Sequence, residues 1–325
     1  MDTKELVGVI AGKDPFTESF DRNGCPDGYL FTGSPRPEMG FHFGYFFYLP
    51  ASLREQPVLI VEGPAVGEIG PMDVACRVVA EKADFELSAS GFPHILAGML
   101  GCPVIMPLFP RPQEGESDIY THALTSMAMA VSDPPLARVD LQLIAMFQDI
   151  KNRFAGAGIN LYDKFIVKGF SAGGRFAARF TLLHPQYVLA AVGGGNMHSF
   201  TLPLRTYQNE TLLWPNGIGN ADFTEDFDYE CYKRVRQLFY MGDQDFNSDV
   251  PYGDSYTEEE RQQLYRLFGE VDMPDRWNLY QKLVSELGLH NIVCKTNIGL
   301  GHRPGADIRG VIVSFLKDIL PEAAN

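Results

Sequence analysis

From Asp163 to Pro185 the chain reads DKFIVKGFSAGGRFAARFTLLHP, and few backbones accommodate that order of residue types. The run Phe165-Ile166-Val167 predicts a buried strand, and the segment from Arg175 to His184, closed by Pro185, predicts a helix. Only Lys168, Gly169-Phe170-Ser171-Ala172-Gly173 and Gly174 lie between them, so the chain must turn sharply from strand to helix. Such a turn strains the backbone of its central residue and excludes bulk two positions to either side, a demand that Gly169 and Gly173 meet. Ala172, Gly174, Ala177 and Ala178 then let the helix sit close to the sheet. A bare G-x-S-x-G match is weak in a chain with 32 glycines; the flanking strand and helix give it weight. The rivals are a plain glycine-rich connection and a phosphate-binding loop, and no Lys-Ser/Thr follows as the latter requires.

The same β-then-α alternation recurs. Short apolar runs at Phe43–Leu49, Val58–Val61, Val104–Leu108, Lys164–Lys168, Val188–Val192, Gln237–Met241 and Asn291–Lys295 are predicted strands. Val139, Leu143, Phe147, Ile150 and Phe154 recur at steps of three and four and predict a helix lying on a sheet. Strands alternating with such helices imply an α/β fold, a mostly parallel sheet covered on both faces. The residues before about position 35 are rich in Gly, Pro and Asp and predict an irregular or hairpin entry. The spans Phe200 to Tyr232 and Phe246 to Leu289 fit the alternation poorly and are expected to be cap-like or substrate-shaping insertions in a single domain of residues 1–325, with surface decoration as the plainer alternative.

A hydrophobic content of 45% suffices for one large core, while a net charge of -14 repels phosphate backbones and anionic lipid surfaces. No nucleic-acid or membrane partner is expected. No apolar run approaches membrane-spanning length and the N-terminus lacks a signal-peptide pattern, so a cytoplasmic location is expected. The five cysteines are scattered, without a C-x-x-C pair, and read as reduced thiols. No metal or cofactor is called for, and homo-oligomerisation stays open.

At the Gly169–Gly173 turn the chain resembles the α/β-hydrolase superfamily, from about residue 40 onward. Within it the chain is similar to the esterase and depolymerase branch, and to a bacterial group sharing the segments YTHAL, RVDLQLIAM and GFSAGG. The resemblance implies that Ser171 is a nucleophile, activated by a histidine that a carboxylate orients, in the chain order serine, acid, histidine. After the predicted strand ending at Met241 comes Gly242-Asp243-Gln244-Asp245. The family places its acid three residues past a glycine there, which selects Asp245 and leaves Asp243 in reserve; the bland reading is that both only form a turn. Among seven histidines His302 alone follows the last predicted strand, in the loop Ile298-Gly299-Leu300-Gly301-His302 and just before a predicted helix near Asp307–Leu320. His184 is expected to cap the helix after Ser171, and His290 to precede a strand.

The backbone N–H of Ala172, at the start of that helix, is the expected first oxyanion donor. The second should come from Val61-Glu62-Gly63-Pro64-Ala65-Val66-Gly67, where glutamate replaces the family's histidine and Pro64 has no N–H. Ala65 is the candidate, with Gly63 behind it. Glu62 either contacts substrate or, as the electrostatics favour, braces the loop. Arg111, Tyr120 and His122 follow a strand end and either line the pocket or form surface structure. The implied activity is a serine hydrolase acting on a small carboxylic ester through an acyl-enzyme. The alternatives are a peptidase, amidase or lyase using the same residues, or a binding protein with a degenerate oxyanion hole.

Overall fold

A computed structural model of the chain describes every residue except 22, 64–69, 89–90, 115–116, 271–272 and 322–325. The β-branched and aromatic runs pair into one sheet of nine described strands: β1 (Phe16–Phe20), β2 (Pro26–Gly33), β3 (Tyr45–Pro50), β4 (Ile60–Glu62), β5 (Val104–Pro107), β6 (Phe165–Phe170), β7 (Val188–Gly194), β8 (Arg236–Gly242) and β9 (Ile292–Asn297), in the spatial order β1-β2-β3-β5-β4-β6-β7-β8-β9. The strands from β5 across to β9 are parallel. The first three strands add an antiparallel edge. The Gly- and Asp-rich entry is thus a hairpin that joins the sheet, anchored where Arg153 bridges Asp14 at 2.8 Å and Asp149 at 2.9 Å.

Helices α1 (Met72–Leu87), α2 (Phe92–Leu100), α3 (Val139–Gly156), α4 (Ala172–Leu183), α5 (Glu258–Phe268), α6 (Met273–Glu286) and α7 (Ala306–Lys317) cover both faces. The pleat decides which face each strand residue serves. Phe165 and Val167 join a core with α3 and α4, whereas Ile166 joins a second core with α2, α7 and the end of α1. The stripe from Val139 to Phe154 is buried in the first of these, as its spacing requires.

The two long spans carry their own secondary structure. Residues 200–232 include a small hairpin, Thr206–Tyr207 with Glu210–Thr211, and residues 246–289 contain α5 and α6. Both add large side chains to the α4-side core: Trp214 donates from its indole to the Leu124 carbonyl at 2.8 Å, and Phe200 packs on Tyr280 at 5.3 Å between ring centroids. Among the described residues no helix is long and apolar enough to cross a membrane, and all five cysteines are free.

His184 follows the last turn of α4, and its Nε2 lies 2.8 Å from Asp140 Oδ2 in the first turn of α3, where Arg138 also donates to the same carboxylate. Burial alone would raise the Asp140 pKa; the hydrogen bonds from His184 and Arg138 outweigh it and hold the carboxyl at about 2. A depressed carboxyl contributes stability above its ordinary pKa and loses it as pH falls through the folded value. Asp140→Asn is therefore expected to cost about 2 kcal/mol at pH 7. In urea unfolding, the gap to the parent should narrow from about pH 4 downward and close near pH 2.

Candidate active site

The C-terminal ends of β6, β8 and β9 lie along one edge of the sheet, and the chemistry-bearing residues leave from those ends. Ser171 follows β6 directly and has φ 56° and ψ -122°, a conformation that costs a non-glycine residue about 1–3 kcal/mol. Its own N–H donates to the Gly194 carbonyl at 2.7 Å and its carbonyl accepts from Arg175 at 3.0 Å, so the turn is pinned to β7 and to α4. A Cβ at Gly169 would stand 2.3 Å from the backbone carbon of Gly173, which is why this position admits only glycine.

Between β6 and β8 runs β7, so the acid must reach back across one strand. Asp245 is 1% exposed, and its Oδ2 lies 2.9 Å from His302 Nδ1 while Oδ1 accepts from the Asn247 N–H at 3.1 Å. Asp243 instead accepts from the Gly299 N–H at 2.6 Å and so holds the loop that leads to His302. His302 Nε2 stands 2.9 Å from Ser171 Oγ. With Nδ1–H donated to the carboxylate, Nε2 is the acceptor for the serine hydroxyl, the tautomer this network requires. Ser171, Asp245 and His302 are therefore brought together. Ala172 opens α4, where no earlier helical carbonyl takes its N–H and the helix dipole favours negative charge.

By sequence the chain matches no protein-family model and no curated protein. By structure it is similar to a poly(3-hydroxybutyrate) depolymerase from Bordetella parapertussis, with 16% identity, a TM-score of 0.54 and 99% of this chain aligned to 96% of that one. It is also similar to poly(aspartic acid) hydrolase-1 from Sphingomonas sp. KT-1, with 16% identity, a TM-score of 0.51 and coverage of 90% and 98%. The chain has the α/β-hydrolase fold. In that fold the serine, acid and histidine all stand at the carboxyl edge of the parallel strands, as the three residues do here.

The second oxyanion donor proposed from sequence, Ala65, lies outside the described residues. Its reserve is corrected: the Gly63 N–H donates to the Lys168 carbonyl at 2.6 Å, so strand pairing has consumed it. Glu62 is buried and paired with Lys168 on β6, which makes it a brace between strands. Burial pushes its carboxyl up, partly offset by the ammonium, to about 6.

Arg111 and Tyr120 do stand near the nucleophile, since Tyr120 packs against Ala172, but they are engaged with protein. Arg111 pairs with Asp254 and lies 3.9 Å over the Tyr120 ring, and Arg175 pairs with Asp249. Both bridges tie the loop after Asp245 to the body of the fold. His122 is fully buried, with neither ring nitrogen hydrogen-bonded to any of the described residues; burial, aided by Arg111 and Arg175, lowers its pKa to about 3, so it stays neutral.

Three contacts on His302 escaped the sequence reading. The Asn247 amide nitrogen is 3.2 Å from Nε2, the Phe170 ring is 4.9 Å from the imidazole centroid, and a Cβ at Gly195, where φ is +62°, would stand 3.0 Å from Cε1. The run Gly193-Gly194-Gly195 after the predicted strand at Val188–Val192 was the available signal for the last of these. Among the described residues no group of three or more His, Cys, Asp or Glu is arranged around a metal.

Proposed function

We propose that this α/β-hydrolase is a serine hydrolase that cleaves a carboxylic ester through an acyl-enzyme. The observation that carries the reading is the continuous chain Asp245, His302, Ser171, with both links at 2.9 Å and the serine on a strained turn at a helix N-terminus. Ser171 Oγ attacks the ester carbonyl carbon while its proton passes to His302 Nε2. The carbonyl oxygen gains the negative charge and is stabilised by the Ala172 N–H. As the tetrahedral adduct collapses, the bond to the leaving oxygen breaks and His302 protonates that oxygen. Water, deprotonated by the same imidazole, then releases the acid and restores the serine. Asp245 holds the imidazole in the required tautomer throughout.

The preference for esters over amides follows from the resemblance to the esterase and depolymerase branch. A fluorophosphonate probe is expected to modify Ser171 in the folded protein with one adduct by intact mass. p-Nitrophenyl esters should be turned over with kcat/KM at least about a hundredfold above aminoacyl p-nitroanilides, a difference of roughly 3 kcal/mol in transition-state stabilisation. Amide turnover of equal efficiency would move the assignment to an amidase or peptidase, and an unmodified Ser171 would favour a binding protein.

A further inference from the structure

A cavity of about 390 Å³ lies beside the triad but on the other face of the sheet from α4, within the core shared by α2 and α7. Phe92, Met106, Tyr240 and Ile308 give it an apolar wall. Phe170 divides it from the catalytic edge, lining the cavity while its ring packs on His302. Its floor is the Glu62–Lys168 ion pair, whose residues are 8% and 5% exposed. The volume falls in the range of small-molecule sites.

Bracing the two strands does not by itself require charge at that floor, because a buried ion pair is often matched by apolar residues of the same volume. An ammonium carries three donors; among the described residues Glu62 takes one of those on Lys168, whose Nζ also lies 5.2 Å over the Phe92 ring, so the floor has capacity to bind a polar ligand group. The charges lining the cavity are Lys82, Lys168 and Arg309 against Glu62 and Glu86. Lys82 meets Glu86 at 3.1 Å and Lys168 meets Glu62. Arg309, exposed and 5.4 Å over the Phe92 ring that Lys168 Nζ approaches to 5.2 Å, is then a cation without an acidic partner among the described residues lining the cavity, in a chain whose net charge is -14.

We infer that this cavity binds an amphiphilic monocarboxylate, with its alkyl or aryl body against Phe92, Met106 and Tyr240 and its carboxylate toward Arg309 and Lys168. The site is separate from the triad, and the inference stands without the ester reading. Isothermal titration calorimetry with sodium octanoate, and with octanamide as its uncharged counterpart, should give one saturable site about tenfold tighter for the carboxylate. Arg309→Gln, at an exposed position on α7, is expected to weaken octanoate about fivefold and leave octanamide unchanged. Ile308→Trp fills the cavity and should remove both ligands. Labelling of Ser171 in the same variants reports an intact fold and triad, so a parent protein that binds octanoate but resists the probe overturns the ester reading and not this site. Equal affinity for the two ligands, no binding of either, or octanoate binding that survives both substitutions overturns the inference.

Discussion

Ser171→Ala is expected to lower kcat toward a p-nitrophenyl ester by about 10⁵-fold while the protein stays folded. The loss is large because the hydroxyl is the atom that forms the covalent bond; without it His302 has only water to activate. The fold should persist because the side chain's polar contact is the 2.9 Å link to His302, and alanine keeps the Cβ. The backbone strain at φ 56° remains in alanine but is relieved in glycine. Ser171→Gly should therefore be equally inactive yet more stable than Ser171→Ala by about 1 kcal/mol in urea unfolding, a signature of strain held at a functional residue. Activity within tenfold of the parent in the alanine variant would remove the serine from the chemistry.

The second large effect concerns the acid. Asp245→Asn is expected to reduce kcat by about 10⁴-fold. The amide presents an N–H to Nδ1, which must then accept, so the ring proton moves to Nε2 and the imidazole can no longer take the serine's proton. Asp243→Asn keeps an acceptor for the Gly299 N–H and should cost less than about tenfold, since it acts on the loop and not on the ring. The two variants, measured side by side on one ester, separate the roles. A larger loss in Asp243→Asn would reassign the carboxylate that orients His302.

The two aspartates also show where local reading stops. Both sit in one strand-end turn, two residues apart, and nothing in Gly242-Asp243-Gln244-Asp245 distinguishes a carboxylate facing the imidazole from one facing a loop amide. A family rule chose Asp245; the route of the loop before His302 put it against Nδ1. Gly63 went the other way. It looked available as an oxyanion donor until pairing of β4 with β6 took its N–H. For Arg111 a pocket role and a surface role both stayed open because Asp254, its partner, is 143 positions away.

Local patterns determined the strand–turn–helix around Ser171, the amphipathic α3 and the parallel α/β class, because hydrophobic period and glycine placement act over a few residues. Helices α1 and α2 and the edge strands β1 and β2 were less legible: short apolar segments such as FPHILAGML suit a helix or a strand equally, and only the surface they pack against selects one. Long-range folding settled which carboxylate meets the imidazole, which N–H groups are already spent, and that a charged pair floors a cavity behind Phe170. Those outcomes depend on atoms far apart along the chain and a few ångströms apart in space, and a single sequence carries no record of that proximity.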